Sequence, residues 1–214
     1  MQRVQVFRCI ICGDPYIGFE KPANCPLCGA HEQYMAPSAE WRDSNKVNLT
    51  EISRKNLEAA LELETGDAEF YLCASGRTRN GETRAMFRVL SRAESGHASV
   101  ICRILGKEKP AIRLLRDICR MDEDEMMREA DRKENRAVRL YTEFLSQATE
   151  PRVRQLFKAL VEIESDHMDI VSREVSEPVP VSKENSGNLP EDDELKSLDK
   201  DEIEFYDSYR LHED

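Results

Sequence analysis

A chain of 214 residues with 40% apolar side chains is long enough for one medium-sized domain, one small domain and a sizeable core. The net charge is −11, and most of it lies in residues 177–214, which hold thirteen acidic and only four basic side chains. The rest of the chain offers no strongly basic face, so we expect no nucleic-acid partner. It begins without an apolar leader, and no stretch approaches the roughly 18 apolar residues that a membrane span requires, so we expect a cytoplasmic protein without membrane contact.

The amino-terminal segment predicts a small metal-binding domain. Residues 1–35 are turn-rich and β-like, with two Cys-x-x-Cys-Gly motifs that contain Cys9, Cys12, Cys25 and Cys28. Two such pairs predict a tetrahedral four-thiolate site, which we call the knuckle, and leave iron and zinc as alternatives. The glycine after each pair permits a tight turn that points backbone N–H groups at sulfur.

Three further cysteines lie outside these motifs, at Cys73, Cys102 and Cys119. Free cysteine is among the most buried residue types. We therefore predict that these three are small buried apolar residues and not metal ligands.

Beyond a polar linker at residues 36–50, the apolar period becomes helical. It predicts four helices, near residues 51–75, 83–105, 124–148 and 151–175, with Gly106 as a helix stop and Pro151 in a first turn. Connections of about 7 and 2 residues make two antiparallel hairpins, and a connection of about 18 residues joins them. We expect a mainly α fold: a ferritin-like four-helix bundle over residues 51–176, preceded by the small β domain and followed by an acidic, mobile tail at 177–214.

The two predicted hairpins resemble copies of each other. A shift of 70 positions superposes Glu64, Tyr71, Glu94 and His97 on a second set with the same residue types; that set is Glu134, Tyr141, Glu164 and His167. In helical phase, these polar residues fall on the same stripes as the apolar ones, so each helix directs one carboxylate into the core.

Four converging buried carboxylates need compensation. An unpaired buried carboxylate is costly, and two cations would offset the charge of four. Carboxylates with two imidazoles suit iron or manganese, and Glu and His at i, i+3 reach a common metal. A single Glu-x-x-His is usually a solvated helix face, but the repetition in phase with apolar residues argues against that interpretation here. Tyr71 and Tyr141 are either core residues whose hydroxyls bond to a site carboxylate without a chemical role, or catalytic residues of the site.

Together, the two Cys-x-x-Cys-Gly motifs and the duplicated Glu and Glu-x-x-His hairpins resemble those of rubrerythrins, over residues 1–175. The knuckle precedes the bundle here, which is similar to the variant with swapped domain order. The resemblance implies that Glu94 and Glu164 bridge two irons, that Glu64 and Glu134 are terminal ligands, and that His97 and His167 each complete one iron.

The same resemblance implies a peroxide reductase. Electrons would pass from an external reductase that draws on NAD(P)H, through knuckle iron, to the di-iron site, in a protein that is a homodimer. The knuckle would then reach its own bundle or, as in the relatives, a neighbour's. One departure is Ala137: peroxidase members carry another carboxylate one turn beyond the residue equivalent to Glu134, and Asp131, one turn before Glu134, substitutes only in a different helix register.

Two alternatives remain open at this stage. The first is an iron-binding protein or ferroxidase whose knuckle holds structural zinc. The second is a binding module whose acidic tail recruits a partner. In a peroxide reductase the same tail is either a solvated extension or a docking segment that steers a basic electron donor, with Ile203, Phe205, Tyr206 and Tyr209 as an apolar anchor.

Overall fold

The small amino-terminal domain is a three-stranded antiparallel sheet. The protein is described by a computed structural model that covers residues 3–176. Strand β1 (Gln5–Cys9) is central, between β2 (Pro15–Gly18) and β3 (Met35–Pro37), and a short 3-10 helix (Glu32–Tyr34) precedes β3. The predicted domain boundary at residue 35 falls inside β3, so the small domain continues two residues further.

Four long helices follow, and their ends match the local sequence signals. They are α1 (Glu51–Arg77), α2 (Gly81–Leu105), α3 (Glu123–Gln147) and α4 (Pro151–Ser176). The hydroxyl of Thr50 caps α1, and Asp122 forms a capping box with Glu125 at the start of α3. Gly106 ends α2 with a φ of +65°, a left-handed conformation that glycine adopts without steric cost.

The connections give the bundle its topology. Residues 78–80 join α1 to α2 and residues 148–150 join α3 to α4, so each pair is an antiparallel hairpin, whereas residues 106–122 form the long crossover. The predicted fold class, a ferritin-like bundle with a small cysteine-containing β domain, is confirmed. The first joint is shorter than expected because both flanking helices extend into it.

The crossover is fastened to the bundle by a disulfide between Cys73 of α1 and Cys119. Both cysteines are buried, as expected, and the sequence analysis did not anticipate the disulfide between them. No local pattern signals the pair, since the two residues are 46 positions apart and neither lies in a cysteine motif. Cys102 is a free buried thiol.

The small domain packs directly on the bundle of its own chain. Phe7, Ile11 and Met35 belong to one hydrophobic cluster with Ile101 and Ile163 of the helices. Two hydrogen bonds lie at the border of this interface. A ring nitrogen of His31 lies 2.7 Å from the Asp166 carboxylate, and the Gln33 amide donates to Glu162 at 3.0 Å. The knuckle therefore has a fixed position relative to the helices.

The predicted acidic tail lies outside the described residues. Within residues 3–176, none of the helices combines the length and the apolar composition that crossing a membrane requires.

Candidate metal centres

The four cysteines of the knuckle converge to the spacing of a tetrahedral site. Sγ of Cys9 lies 3.8 Å from Sγ of Cys28, and Sγ of Cys12 lies 3.6 Å from Sγ of Cys25. Metal–sulfur bonds of about 2.3 Å give a tetrahedron with edges of about 3.8 Å, so one ion fits between the four sulfurs. All four residues are at most 4% exposed.

The glycine turns that the sequence predicts are present. Gly13 and Gly29 adopt φ angles of +78° and +74°, and each donates its N–H to the carbonyl of the first cysteine of its pair. The following residue, Asp14, donates its N–H to Sγ of Cys12 at 3.4 Å. Such N–H groups stabilise negative charge on sulfur.

The protons are shared unequally among the four sulfurs. Hydrogen bonding with Cys12 lowers the pKa of Cys9 and of Cys25. The same network raises the pKa of Cys12, through Cys25, and that of Cys28, through Cys12. A cluster of thiols that already stabilises part of its ionised form is a suitable binding site for a thiophilic ion.

Side chains from outside the small domain hold the first cysteine loop. Trp41 donates its indole N–H to the Cys9 carbonyl at 3.1 Å. Arg152 of α4 donates to the Ile11 carbonyl at 2.6 Å, and Arg103 of α2 donates to the Cys12 carbonyl. Sequence reasoning missed these three residues, since nothing in their local pattern links them to the cysteines.

The second centre lies in the middle of the bundle. Its side chains come from all four helices and are 0–7% exposed; they are Glu64, Glu94, His97, Glu134, Glu164 and His167. They form two overlapping groups whose ligand atoms lie within 4.8 Å of one another: one contains Glu64 and His97, and the other contains Glu134 and His167. Glu94 and Glu164 belong to both groups, which is the arrangement of two bridging carboxylates.

Both imidazoles direct Nδ1 into the cluster. Nδ1 of His97 lies 2.9 Å from Glu94 and 3.2 Å from Glu64, and Nδ1 of His167 lies 3.0 Å from Glu164. The rings stack with centroids 6.1 Å apart. The i, i+3 spacing predicted from the sequence thus brings each Glu and His pair to one point.

The charges of this cluster balance only when protons are bound. Burial raises the pKa of Glu64 and Glu134 well above the ordinary carboxyl range. Burial opposes the charge of Glu94 and Glu164 too, but the two histidines keep the pKa of both low. The carboxylates overcome the effect of burial on His97 and His167 and raise the pKa of each imidazole well above its usual value. Two carboxylates and two imidazolium groups thus compensate each other, while two carboxyls keep their protons.

The donor set fits a pair of metal ions. Oε1 of Glu94 and Oε1 of Glu164 are buried and accept no well-aligned hydrogen bond, although each lies 3.2 Å from Nδ1 of the histidine on the opposite helix. Buried acceptors without a hydrogen bond are rare and costly, and a cation between the carboxylates satisfies both. Oxygen and imidazole ligands in this proportion suit iron, so the bundle fits a di-iron centre and the knuckle an iron or zinc ion.

The two tyrosines connect the repeats crosswise. Tyr71 donates its hydroxyl to Glu134, and Tyr141 donates its hydroxyl to Glu64. Both tyrosines are completely buried and make the hydrogen bond to a site carboxylate that the sequence led us to expect.

One hydrogen bond joins the two centres. Nε2 of His97 lies 2.9 Å from the backbone carbonyl of Cys28. Gly96, which precedes this histidine, lies against Leu27, whose carbonyl oxygen would be 3.6 Å from an added Cβ. A ligand of the bundle and a ligand of the knuckle are therefore separated by one backbone carbonyl and one hydrogen bond.

The extra carboxylate that peroxidase members carry on the third helix has no counterpart on α3. Asp131 accepts from the Ser172 hydroxyl at 2.8 Å and lies outside the cluster, so it does not substitute for a residue at Ala137. The 70-residue repeat places Asp67 at the equivalent position of the first hairpin. Asp67 is buried, its pKa is raised to about 6 by burial, and it pairs with Lys133 at 2.5 Å.

Comparison with known proteins places this geometry in a family. The family model described as Rubrerythrin matches residues 55–175. Reverse rubrerythrin-1 of Clostridium acetobutylicum is 28% identical over 112 residues, which cover 47% of this chain and 62% of the relative. The chain thus spans less than two thirds of that relative's length. No solved structure gave a significant match. The match to the family model spans more than half of the chain and includes every bundle ligand, so this protein belongs to the rubrerythrin family.

Proposed function

We propose that this protein reduces hydrogen peroxide to water at the bundle site, with electrons that enter through an iron ion in the knuckle. The observation that carries the proposal is the hydrogen bond between Nε2 of His97 and the Cys28 carbonyl. It gives a short bonded connection between the two sets of ligands, which an electron relay needs and a purely structural knuckle does not.

The bundle residues support the two-electron chemistry of peroxide cleavage. Two iron ions held by the carboxylates and imidazoles would supply one electron each when a peroxide O–O bond is cleaved. Glu94 and Glu164 contribute to both halves of the cluster and so keep the two halves at a fixed separation. Complete reduction of hydrogen peroxide to two waters also consumes two protons, and the Tyr71 and Tyr141 hydroxyls hold protons beside the cluster.

We further propose that the electron donor is a separate reductase, which draws on NAD(P)H, and that the active form is a homodimer. The fixed packing of the knuckle on its own helices allows the relay to operate within one chain. Electron delivery within each chain does not then depend on dimer formation.

Separating electron delivery from chemistry tests the relay. In the Cys9→Ser/Cys28→Ser double variant, we expect no sustained peroxide turnover with an external reductase, but one burst of peroxide consumption by chemically pre-reduced protein. Cys102→Ser is the matched control, since this free buried thiol lies outside the knuckle. If the burst disappears in the double variant while its bundle irons remain, the relay model is wrong.

A second candidate is an iron-binding protein or ferroxidase with zinc in the knuckle. Ala137 favours it, because the position offers no further carboxylate ligand. Metal analysis of anaerobically purified protein separates the two candidates. The relay predicts three irons per chain and the red colour of a four-thiolate ferric centre, whereas the ferroxidase predicts two irons, one zinc and a colourless knuckle.

A further inference from the structure

Arg152 is a buried cation whose hydrogen-bond partners are all neutral. The residue is 6% exposed, and its guanidinium donates to the Ile11 carbonyl, to Oδ1 of Asn45 at 3.0 and 3.1 Å, and to Oε1 of Gln155 at 2.9 Å. Within residues 3–176, it forms no ion pair with a carboxylate. A buried charge without a counter-charge is costly, so a negative group must compensate it.

A second arginine reaches the same loop from another helix. Arg103 of α2 donates to the Cys12 carbonyl, while its Nε is buried without a hydrogen-bond partner. The acidic neighbours are Asp14, close to Arg103, and Asp43, close to Arg152, and neither forms an ion pair with these arginines in the described part of the chain. Two like charges that repel each other therefore converge on one cysteine loop.

The duplicated bundle does not itself require these cations. The 70-residue repeat places Glu82 at the position equivalent to Arg152, and Arg173, which is exposed, at the position equivalent to Arg103. The buried Arg152 and the partly buried Arg103 both belong to the face that the knuckle covers. Their compensating charge therefore belongs to the knuckle and not to the bundle.

The four cysteines provide that charge. A divalent ion with four thiolates carries a charge of −2, and a ferric ion with four thiolates carries −1. We propose that Arg103 and Arg152 are the counter-charge of the metal-loaded knuckle, and that they stabilise its more negative state while they position the first cysteine loop. They act through the cysteines and so are positioning residues. For knuckle iron they favour the ferrous state, a consequence that rests on the proposed function, and for zinc they strengthen binding.

The charge and the packing of Arg152 are separable by substitution. Arg152→Gln removes the charge and retains a polar amide of shorter reach, near the position of Nε, whereas Arg152→Lys retains the charge and loses the planar fork. Arg154→Gln is the control, because Arg154 lies on the same helix but donates to the carbonyls of Leu145 and Ala148, away from the knuckle.

The first measurement is the midpoint potential of knuckle iron in the full-length protein, by optical titration. We expect Arg152→Gln to lower the equilibrium constant for reduction roughly tenfold, which equals about 59 mV for a one-electron couple. Arg152→Lys should retain most of the potential, and Arg154→Gln should not change it. Equal potentials in Arg152→Gln and the control, or equal shifts in the Gln and Lys variants, overturn the proposal.

The second measurement needs neither iron nor turnover, so it separates this proposal from peroxide reduction. Zinc is titrated into the metal-free full chain against a chromophoric chelator, and the tight four-thiolate site is followed. We expect Arg152→Gln and Arg103→Gln each to weaken binding roughly tenfold. Arg103 is only partly buried, so its variant remains informative if Arg152→Gln fails to fold. Zinc affinities of both variants equal to that of Arg154→Gln overturn the proposal.

Discussion

Loading the bundle with metal should expel a defined number of protons. In the metal-free protein the raised pKa values of Glu64, Glu134, His97 and His167 favour a bound proton on each of the four groups. Metal ligation needs the carboxylates ionised and the imidazoles neutral. Because Glu94 and Glu164 are already ionised, we expect four protons to leave as two divalent ions bind.

Isothermal titration calorimetry in two buffers of different protonation enthalpy counts these protons. The titrant is Mn²⁺, which does not change oxidation state under the conditions, and the knuckle is first filled with zinc so that its thiols do not contribute. The four ligand groups are protonated below their raised pKa values, and Mn²⁺ must displace these protons. The affinity of the bundle for Mn²⁺ should therefore increase with pH, about tenfold per pH unit for each proton released.

Variants test whether the protons come from these groups. Glu64→Gln removes one titrating carboxyl, and we expect three protons instead of four. Asp67→Asn is the control, since this buried aspartate lies outside both ligand groups. Binding of two ions with no proton release in the unmodified protein would refute the assigned charge balance of the cluster.

Three further predictions concern stability. Reduction of the Cys73–Cys119 disulfide, or Cys73→Ser, should lower the free energy of unfolding by about 4 kcal/mol, which is the chain-entropy value for a loop of 46 residues. Urea denaturation measures this change, with Cys102→Ser as the control, and an unchanged denaturation midpoint contradicts the prediction. Glu150 accepts from the Thr50 N–H and the Ser53 hydroxyl, both at 2.6 Å, and although burial opposes its charge, these bonds lower its pKa to about 2. The ionised carboxylate therefore stabilises the folded protein fully above pH 4.5, and this stabilisation is lost as the pH falls towards 2. We expect Glu150→Gln to lower the free energy of unfolding by about 2 kcal/mol at pH 6 and by almost nothing at pH 2. A decrease that is the same at both pH values argues against the assignment. Gly29→Ala places a Cβ 3.2 Å from Ile163 at a φ of +74° and should lower the free energy of unfolding by at least about 1 kcal/mol. Gly66→Ala, which has open space around the new Cβ, should instead stabilise helix α1. Thermal unfolding compares the two variants, and equal effects contradict the assignment.

The bundle and its ligands were predictable because their signals are local and duplicated. Helix periodicity, Pro151 and Gly106 fix the ends of elements within a few residues, and the i, i+3 spacing sets the direction of each Glu and His pair. The same holds for the cysteine motifs, whose glycines adopt the left-handed turns that the spacing requires.

Contacts between distant segments were not predictable from one sequence. The disulfide joins Cys73 to a residue in an irregular crossover, and nothing in the sequence fixes where that crossover lies. Arg103 and Arg152 appear in the sequence as ordinary charged residues near helix ends, where a solvated side chain is the usual outcome. Their burial depends on the packing of the small domain against α2 and α4, which involves residues more than ninety positions apart.

The position of the knuckle also makes the duplicated site asymmetric. His97 and His167 are equivalent in the repeat, and both direct Nδ1 into the cluster. Of the two rings, that of His97 is completely buried and bonds through Nε2 to the Cys28 carbonyl, whereas His167 retains 7% exposure and lines a surface cleft beside Gly29. The two halves are alike in sequence, but the path of covalent bonds and hydrogen bonds to the cysteine site is shorter from His97 than from His167. In the proposed relay, an electron from the knuckle reaches the His97 half first, and the second half is reached through the carboxylates that both halves share.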